Sequence, residues 1–305
     1  MPSPKSKGTV LITGANGLLG QKLCHDFLVS HKVLACDLHP QSFVSQLDLY
    51  YESLDITSGE KVLSLVLLHR PGIIINAAAY TDVDGCEIHK KHAWIVNVGA
   101  VENLAGVCRK HKIKLIHLST DYVFDGENGP YSEEDHPRPV SFYGETKLES
   151  ERVIEQSGID FLIIRTNVLY GSGKNVKENF LLWLLEKLSG GEKIKIVTDQ
   201  FNNPTLADNL SSCILEMTEK GLIGIYHIGG AEYLSRYDFA VKVADKFNMD
   251  QSLISPTQTE FLEQKAPRPH WGGLKIEKAR KVLRTKLLNV DEGLEEVKKG
   301  QGFRG

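Results

Sequence analysis

Tyr143 and Lys147 stand four residues apart, a spacing that puts both side chains on one face of a helix. A lysine cation beside a phenol lowers the phenol's pKa, so the phenol passes a proton near neutral pH. Thr120 ends an apolar run, Lys114-Leu115-Ile116-His117-Leu118, that reads as a buried strand. A hydroxyl at the carboxyl end of a strand, beside such a pair, makes Thr120, Tyr143 and Lys147 a proton-handling triad. Tyr-x-x-x-Lys also occurs on ordinary solvated helix faces, so its weight rests on the elements that must position it.

Those elements begin with a nucleotide-binding pattern. Residues 8–12 form a β-rich run leading into Gly14-Ala15-Asn16-Gly17-Leu18-Leu19-Gly20, with G-x-x-G-x-x-G spacing. Gly14 permits a tight turn, Gly17 lets a pyrophosphate approach the backbone, and Gly20 lets the next helix pack on the strand. The start of that helix offers free N–H groups and a positive dipole to phosphates. Leu19, Leu23 and Phe27 share one helical face and should dock on the sheet. A second strand, 33–36, ends at Asp37, near the distance at which a carboxylate meets the adenosine ribose hydroxyls. Strand, turn, helix, strand and acid together predict dinucleotide binding. Asp37 disfavours a 2′-phosphate by charge, with His39 close by, so NADH is expected to serve at least as well as NADPH.

The remaining chain continues the alternation. Residues 72–75 are a fully apolar strand of the kind found in a parallel sheet covered on both faces, and it ends at Asn76-Ala77-Ala78-Ala79. Small residues there leave room for a cofactor. A long helix over about 90–110 carries Asn97; then come the 114–118 strand, the helix with Tyr143 and Lys147, and a strand at 161–164. This predicts an α/β fold with a doubly wound parallel sheet, the Rossmann arrangement, over 1–170. After Gly171-Ser172-Gly173 the rhythm changes, to a helix at 176–188, a strand at 194–197, a helix at 206–220 and a strand at 224–228. Residues 171–305 read as a smaller lid that binds substrate, with some segments returning to the sheet.

Bulk composition narrows the class. The 305 residues carry a net charge of −3, with 41% hydrophobic and 25% charged residues, which is ordinary for a globular protein and gives no nucleic-acid footprint. No apolar run is long enough to span a bilayer. The start, Met1 to Lys7, is polar and reads as no signal peptide. Five scattered cysteines, Cys24, Cys36, Cys86, Cys108 and Cys213, show no ligand spacing, so no metal is expected; they read as reduced buried thiols of a cytoplasmic protein.

Several strings in this order resemble the extended short-chain dehydrogenase/reductases, and within them the dTDP-4-dehydrorhamnose reductase group. Gly14 to Gly20 looks like the family's cofactor loop. Residues 76–84 (Asn-Ala-Ala-Ala-Tyr-Thr-Asp-Val-Asp) resemble its second cofactor segment, and 119–126 is very similar to its S-T-D-Y-V-F-D-G signature. Residues 143–149 match its Y-G-x-T-K-L-x helix. Residues 199–205 (Asp-Gln-Phe-Asn-Asn-Pro-Thr) resemble its D-Q-x-x-x-P-T segment, and Arg268-Pro269 its late R-P element. The resemblance implies reduction of a nucleotide-linked 4-keto-6-deoxysugar by NADPH or NADH. Tyr143 would protonate the developing alkoxide, Lys147 would lower the Tyr143 pKa and hydrogen-bond the nicotinamide ribose, and Thr120 would hydrogen-bond the same oxygen as Tyr143. It assigns to the cofactor Gly14, Asn16, Gly17, Leu18, Leu19, Gly20, Asp37, Asp55, Ile56, Ala77, Ala78, Ala79, Asn97, Tyr143 and Lys147. It assigns to the substrate Thr81, Val83, Asp121, Tyr122, Asn167, Asn203, Pro204, Thr205 and Arg268. A homodimer is the expected assembly.

Two departures bear on the sugar. The strand after the catalytic helix usually continues R-T-S-W-x-Y; here it is Arg165-Thr166-Asn167-Val168-Leu169-Tyr170, so Val168 replaces the Trp. Trp271-Gly272-Gly273 stands where a more polar stretch is usual. Other activities share the scaffold. Dehydratases carry an acid pair after the catalytic Thr, whereas Tyr122 follows Asp121 here, and epimerases keep their NAD bound. The regulatory beta subunit of methionine adenosyltransferase resembles the same group, with Asn where this chain has Asp121. Plainer readings apply elsewhere: His117 as a satisfied core histidine, Asp121 and Asp125 as turn organisers, Tyr122 and Phe124 facing the sugar or packing. Trp183 reads as core or an oligomer face, and Glu133-Glu134-Asp135 as a solvated loop.

Overall fold

The computed structural model describes residues 7–300. The polar start read as no signal peptide therefore lies, apart from Lys7, outside the described residues. Chain order in the first part is β1 (Thr9–Thr13), α1 (Leu18–Phe27), β2 (Lys32–Asp37), β3 (Tyr50–Ser53), α2 (Gly59–His69), β4 (Ile73–Asn76), α3 (Val83–Ile88), α4 (Lys90–Trp94), a π turn (Ile95–Gly99), α5 (Ala100–His111), β5 (Lys114–Thr120), α6 (Phe142–Gln156) and β6 (Phe161–Thr166). There follow β7 (Leu169–Tyr170), α7 (Phe180–Ser189), β8 (Ile194–Val197), β9 (Phe201–Asn202), β10 (Thr205–Leu206), α8 (Ala207–Glu219), β11 (Gly224–His227), β12 (Leu234–Ser235), α9 (Arg236–Lys246), β13 (Ile254–Thr257), α10 (Glu277–Val282) and α11 (Val290–Gly300).

Seven strands form one sheet in the order β11-β6-β5-β4-β1-β2-β3, and every pairing in it is parallel. Strand order reverses between β1 and β4, which opens a crevice at their carboxyl ends. Apolar side chains cover both faces. One core gathers Leu19, Leu23 and Phe27 of α1 with Val10 and Ile12 of β1 and Leu210 and Ile214 of α8. The other gathers Leu11, Ile74 and Leu115 with Leu104 of α5 and Ile154 of α6. A third core, with Leu181, Leu184, Phe239 and Leu294, holds together α7, α9 and α11 beside the short pairs β8–β13 and β9–β12. Segments from the C-terminal third complete the large sheet: β11 pairs with β6, and α8 lies against α1.

The alternation of elements is as read, with three differences. The helix expected over 90–110 is present but not uniformly α, since α4 and α5 are joined through the π turn. Asp82 caps α3 by accepting from the Gly85 N–H at 2.9 Å, His89 leaves the helical region, and the chain widens into the π turn around the buried Asn97. The helix expected from 176 starts at Phe180, because Asn179 caps it through the Leu182 N–H at 3.4 Å. Strand β3 and helix α2 had no sequence reading; β3 is a short edge strand of exposed or half-buried residues, so it lacks an apolar signal. All five cysteines are free and buried. Burial pushes the thiols of Cys24, Cys36, Cys108 and Cys213 up to about 12, and that of Cys86 to about 11.

One buried ion pair locks β6 to α6. The Arg165 guanidinium donates to both Glu151 oxygens, at 2.6 Å from Nη2, with side chains only 3% and 1% exposed. Removing one partner of such a pair leaves a buried charge alone. Glu151→Leu is therefore expected to lower unfolding stability by about 3–5 kcal/mol. Glu151→Leu with Arg165→Met should recover most of it. Urea unfolding of the two variants checks this; equal losses would mean that the pairing is not what Arg165 requires.

Candidate active site

The glycine loop forms a cradle with no room for side chains. A Cβ on Gly14, at φ +68°, would lie 2.7 Å from the Ala77 and Ala78 backbone, and one on Gly20 would lie 2.0 Å from the Gly14 carbonyl. Only Gly permits this approach of the β1 turn to α1 and to the loop after β4. Gly17 precedes α1 without a side-chain cap, so the first N–H groups of that helix stay open to an anion. Asp37, at the end of β2, accepts from the Asn16 N–H at 3.1 Å and the His39 N–H at 3.1 Å. These features fit a dinucleotide: a narrow backbone cradle, an open helix start and a carboxylate at the end of the neighbouring strand. The other residues assigned there divide. Asn16 spends its side chain on the next loop, donating to the Gln41 carbonyl and the Tyr51 hydroxyl and accepting from the Phe43 N–H. Asp55 forms a turn with Thr57, while the Ile56 side chain is in the core and its carbonyl accepts from Asn103 at 3.2 Å. Asn97 accepts from the Tyr80 N–H at 2.8 Å and donates to Thr146 at 3.0 Å, tying the Ala77-Ala78-Ala79 loop to α6.

Thr120, Tyr143 and Lys147 come together at the junction of β5 and α6. Ser141 caps α6 through the Gly144 N–H at 3.2 Å, which sets the helix phase and turns Lys147 under β5. Thr120, last in β5, accepts from the Tyr122 N–H and donates to Asp121, both at 3.2 Å. The Tyr143 ring meets Tyr122 edge to face, with centroids 5.7 Å apart.

The electrostatics differ from the expectation that Lys147 lowers the Tyr143 pKa. Burial raises the Tyr143 phenol well above its ordinary value; Tyr122 and Asp121 add to this, and the Thr120 hydroxyl opposes it. The Lys147 amine is instead engaged on β5: Nζ lies 3.0 Å from His117 Nε2 and donates to the Leu118 carbonyl at 2.7 Å. Burial pushes Lys147 down to about 8, against a smaller upward pull from Glu151. Removing water from both groups outweighs their mutual effect, and Tyr143 stays protonated at neutral pH.

His117 is a satisfied core histidine, as read, yet one of its partners is the site residue Lys147. Nδ1 lies 3.1 Å from Asn76 Nδ2, and Nε2 lies 3.1 Å from Ser150 Oγ besides Lys147. Ser119, two residues on and on the same face, donates to Glu151. A period-two pair of polar residues in an otherwise buried strand was the available signal.

Asp121 joins this junction to the C-terminal segments. Its carboxylate accepts from Asn167 Nδ2 at 3.1 Å and from the Gly273 N–H at 3.2 Å, and burial raises its pKa. The residues assigned to substrate mostly hold one another. Thr205 bonds the Asn203 carbonyl at 2.9 Å and Asn167 at 3.4 Å, Asn203 accepts from the Leu274 N–H at 2.7 Å, and Pro204 is buried. Arg268 pairs with Asp84 at 3.0 Å and donates to the Ala266 carbonyl. Thr81 is exposed and Val83 half-buried at the start of α3. Val168 sits at φ +41°, a left-handed conformation that a β-branched residue rarely adopts. Trp271 stacks on Phe201 with centroids 4.6 Å apart, and Phe201 stacks in turn on Tyr233. Of the plainer readings, Phe124 is core, stacked on Tyr131 at 4.4 Å, while Glu133 accepts from the His227 N–H and is not simply solvated. Arg236 had no sequence reading; its guanidinium lies over Phe180 and its Nε is buried without a hydrogen-bond partner.

Comparison with known proteins adds four findings. The family described as the RmlD substrate binding domain matches residues 8–301. A probable low-salt glycan biosynthesis reductase, Agl14, of Haloferax volcanii is 34% identical, over 85% of this chain and 86% of its own. Methionine adenosyltransferase 2 subunit beta of Xenopus laevis is also 34% identical, over 85% of this chain and 78% of its own. The crystal structure of dTDP-4-dehydrorhamnose reductase from Bacillus anthracis in complex with NADP superposes with a TM-score of 0.87 at 30% identity, covering 96% of this chain and 99% of that one.

The depressed Lys147 has a stability consequence. Between about 8 and its ordinary 10.5 the unfolded chain binds a proton that the folded chain does not. The cost of the buried ammonium is therefore full below about 8 and fades as the pH rises toward 10.5. Lys147→Met is expected to gain stability relative to wild type at pH ~7, an advantage smaller by roughly 3 kcal/mol at pH ~10.5. Denaturant unfolding at both values measures it; a difference that ignores pH would contradict the depressed amine.

Proposed function

The chain belongs to the RmlD substrate binding domain family, and on that premise we propose that it reduces the keto group of a nucleotide-linked 4-keto-6-deoxysugar with NADPH or NADH. The observation that carries this reading is the buried, protonated Tyr143 beside Thr120, at the strand ends next to the glycine cradle. When bound, the reduced nicotinamide supplies the hydride. Gly14, Gly17 and Gly20 shape the cradle that would hold the dinucleotide, and the open N–H groups at the start of α1 would bind its phosphates. Tyr143 gives its proton to the carbonyl oxygen as negative charge develops there, and Thr120 donates a hydrogen bond to the same oxygen. Below about 8 Lys147 is an ammonium, and its charge stabilises the phenolate left on Tyr143. Asp121, Asn167 and Asn203 hold the C-terminal segments against the junction, so that the sugar is enclosed between them and Tyr122.

The assay is oxidation of NADH or NADPH, followed by absorbance, with a panel of dTDP-, UDP- and GDP-linked 4-keto-6-deoxysugars. Tyr143→Phe is expected to lower turnover by about 10²–10⁴-fold with cofactor binding nearly unchanged. Full activity in that variant would reject Tyr143 as the acid.

A second reading, a regulatory subunit, is supported by the similarity to methionine adenosyltransferase 2 subunit beta and by Lys147 facing β5 instead of Tyr143. No oxidation with any sugar, together with capture of a methionine adenosyltransferase catalytic subunit, would favour it.

A further inference from the structure

The contact between His117 and Lys147 is held by a chain of groups whose donor and acceptor roles can be followed one by one. Asn76 Oδ1 accepts from Thr13 Oγ1 at 2.7 Å and from the Ala78 N–H at 3.3 Å. That fixes the amide, so Nδ2 faces His117 Nδ1 at 3.1 Å and donates to it. A neutral ring that accepts at Nδ1 carries its proton on Nε2. The ring is neutral: it is fully enclosed, and burial and the neighbouring Lys147 hold it well below its ordinary value.

Nε2 then has two neighbours that ask for opposite things. Ser150 Oγ, 3.1 Å away, gives its own proton to the Lys147 carbonyl at 2.6 Å and can only accept from the ring. An Nε2–H satisfies it. Lys147 Nζ, 3.0 Å away, is content with an Nε2–H only as a neutral amine, which accepts from the ring while donating to the Leu118 carbonyl at 2.7 Å. An ammonium has no lone pair and requires the other tautomer. Adopting that tautomer obliges Asn76 to turn its amide and give up Thr13 and Ala78. Other charged or titratable groups on this face are Tyr143 one turn before Lys147 and Glu151 one turn after it, paired with Arg165 of β6; Tyr122, Asp121 and Cys86 of α3 act on Tyr143.

We propose that His117 is a positioning residue for Lys147, and that its Nε2–H tautomer, imposed by Asn76, biases the buried amine toward its neutral form. The effect on turnover rests on the reductase reading; the effect on the proton affinity of Lys147 does not. Thr13 and Ala78 flank the glycine cradle, so the protonation of Lys147 is coupled to the placement of both backbone segments that line it.

Asn76→Asp is nearly isosteric and tests the wiring. A carboxylate still accepts from Thr13 and Ala78 but can only accept from His117, which imposes the opposite tautomer. Protein labelled with [ε-13C]lysine and 15N-histidine, without cofactor, reports both groups by NMR. Lys147 is assigned by its loss in Lys147→Met and His117 by its loss in His117→Gln. Expected for wild type is an Nε2–H ring above a Lys147 midpoint near 8. Expected for Asn76→Asp is an Nδ1–H ring and a midpoint higher by about one pH unit, a roughly tenfold tighter proton. His117→Gln, whose amide oxygen can turn to the ammonium, should raise the midpoint as well and serves if Asn76→Asp does not fold. An unchanged midpoint in either folded variant, or an Nδ1–H ring in wild type at high pH, overturns the proposal. In the reduction assay the alkaline limb of kcat/KM should move upward with the midpoint, whereas a merely structural loss lowers the rate equally at every pH. Should wild type oxidise no reduced nicotinamide with any sugar, the reductase reading fails, while the NMR midpoints still decide the role of His117.

Discussion

Buried polar groups must be hydrogen-bonded, and the seam between β5 and α6 is where that rule governs this molecule. A strand covered on both faces would ordinarily meet its helix through apolar side chains. Here His117 and Ser119 face Lys147, Ser150 and Glu151 instead, and each finds a partner within the seam. An apolar interface tolerates sliding and repacking, whereas a chain of paired donors and acceptors has one register. That register fixes the phase of α6 against β5, and with it the distance from Thr120, on the strand, to Tyr143, on the helix. The Arg165–Glu151 pair extends the same seam to β6 and, through His227, to β11.

Asp121 carries the constraint outward. It follows Thr120 directly, so wherever the seam places β5 it also places this carboxylate. Through Asn167 and the Gly273 N–H it draws in the end of β6 and the loop that bears Trp271. Much of the polar character of the Asn167, Asn203 and Thr205 set is consumed in this joint. Those side chains shape the enclosure, and the groups with polar atoms left over, such as Arg236 Nε and the Tyr233 hydroxyl, come from the β9–β12 pair and α9. Val168 lies at the same joint in a left-handed conformation that a β-branched residue rarely adopts.

The central sheet was legible in the sequence because its signals are local. Continuous apolar runs announced β4, β5 and β6, and glycine spacing announced the β1–α1 turn. Local geometry was not legible where a side chain far along the chain decides it. Asn97 shapes the π turn by reaching Tyr80 and Thr146, and no window around Lys90 contains that information. Likewise, the Tyr143–Lys147 spacing located the pair but did not show that burial dominates its electrostatics. Spacing along a helix says that two side chains share a face; it does not say which neighbour each one turns to, nor how dry the face is. Lys147 turns to β5, and that choice depends on residues 29 and 30 positions away.

The five cysteines carry a practical consequence. Each thiol is enclosed and held far from its reactive anionic form, so alkylating reagents find no native target on the folded surface. The protein thus arrives as a background ready for single-site labelling. One cysteine introduced at an exposed position, such as the Val29 turn, would take a fluorophore or spin label stoichiometrically while the native five stay silent. Label uptake at the native thiols would in turn become a sensitive count of molecules that have opened.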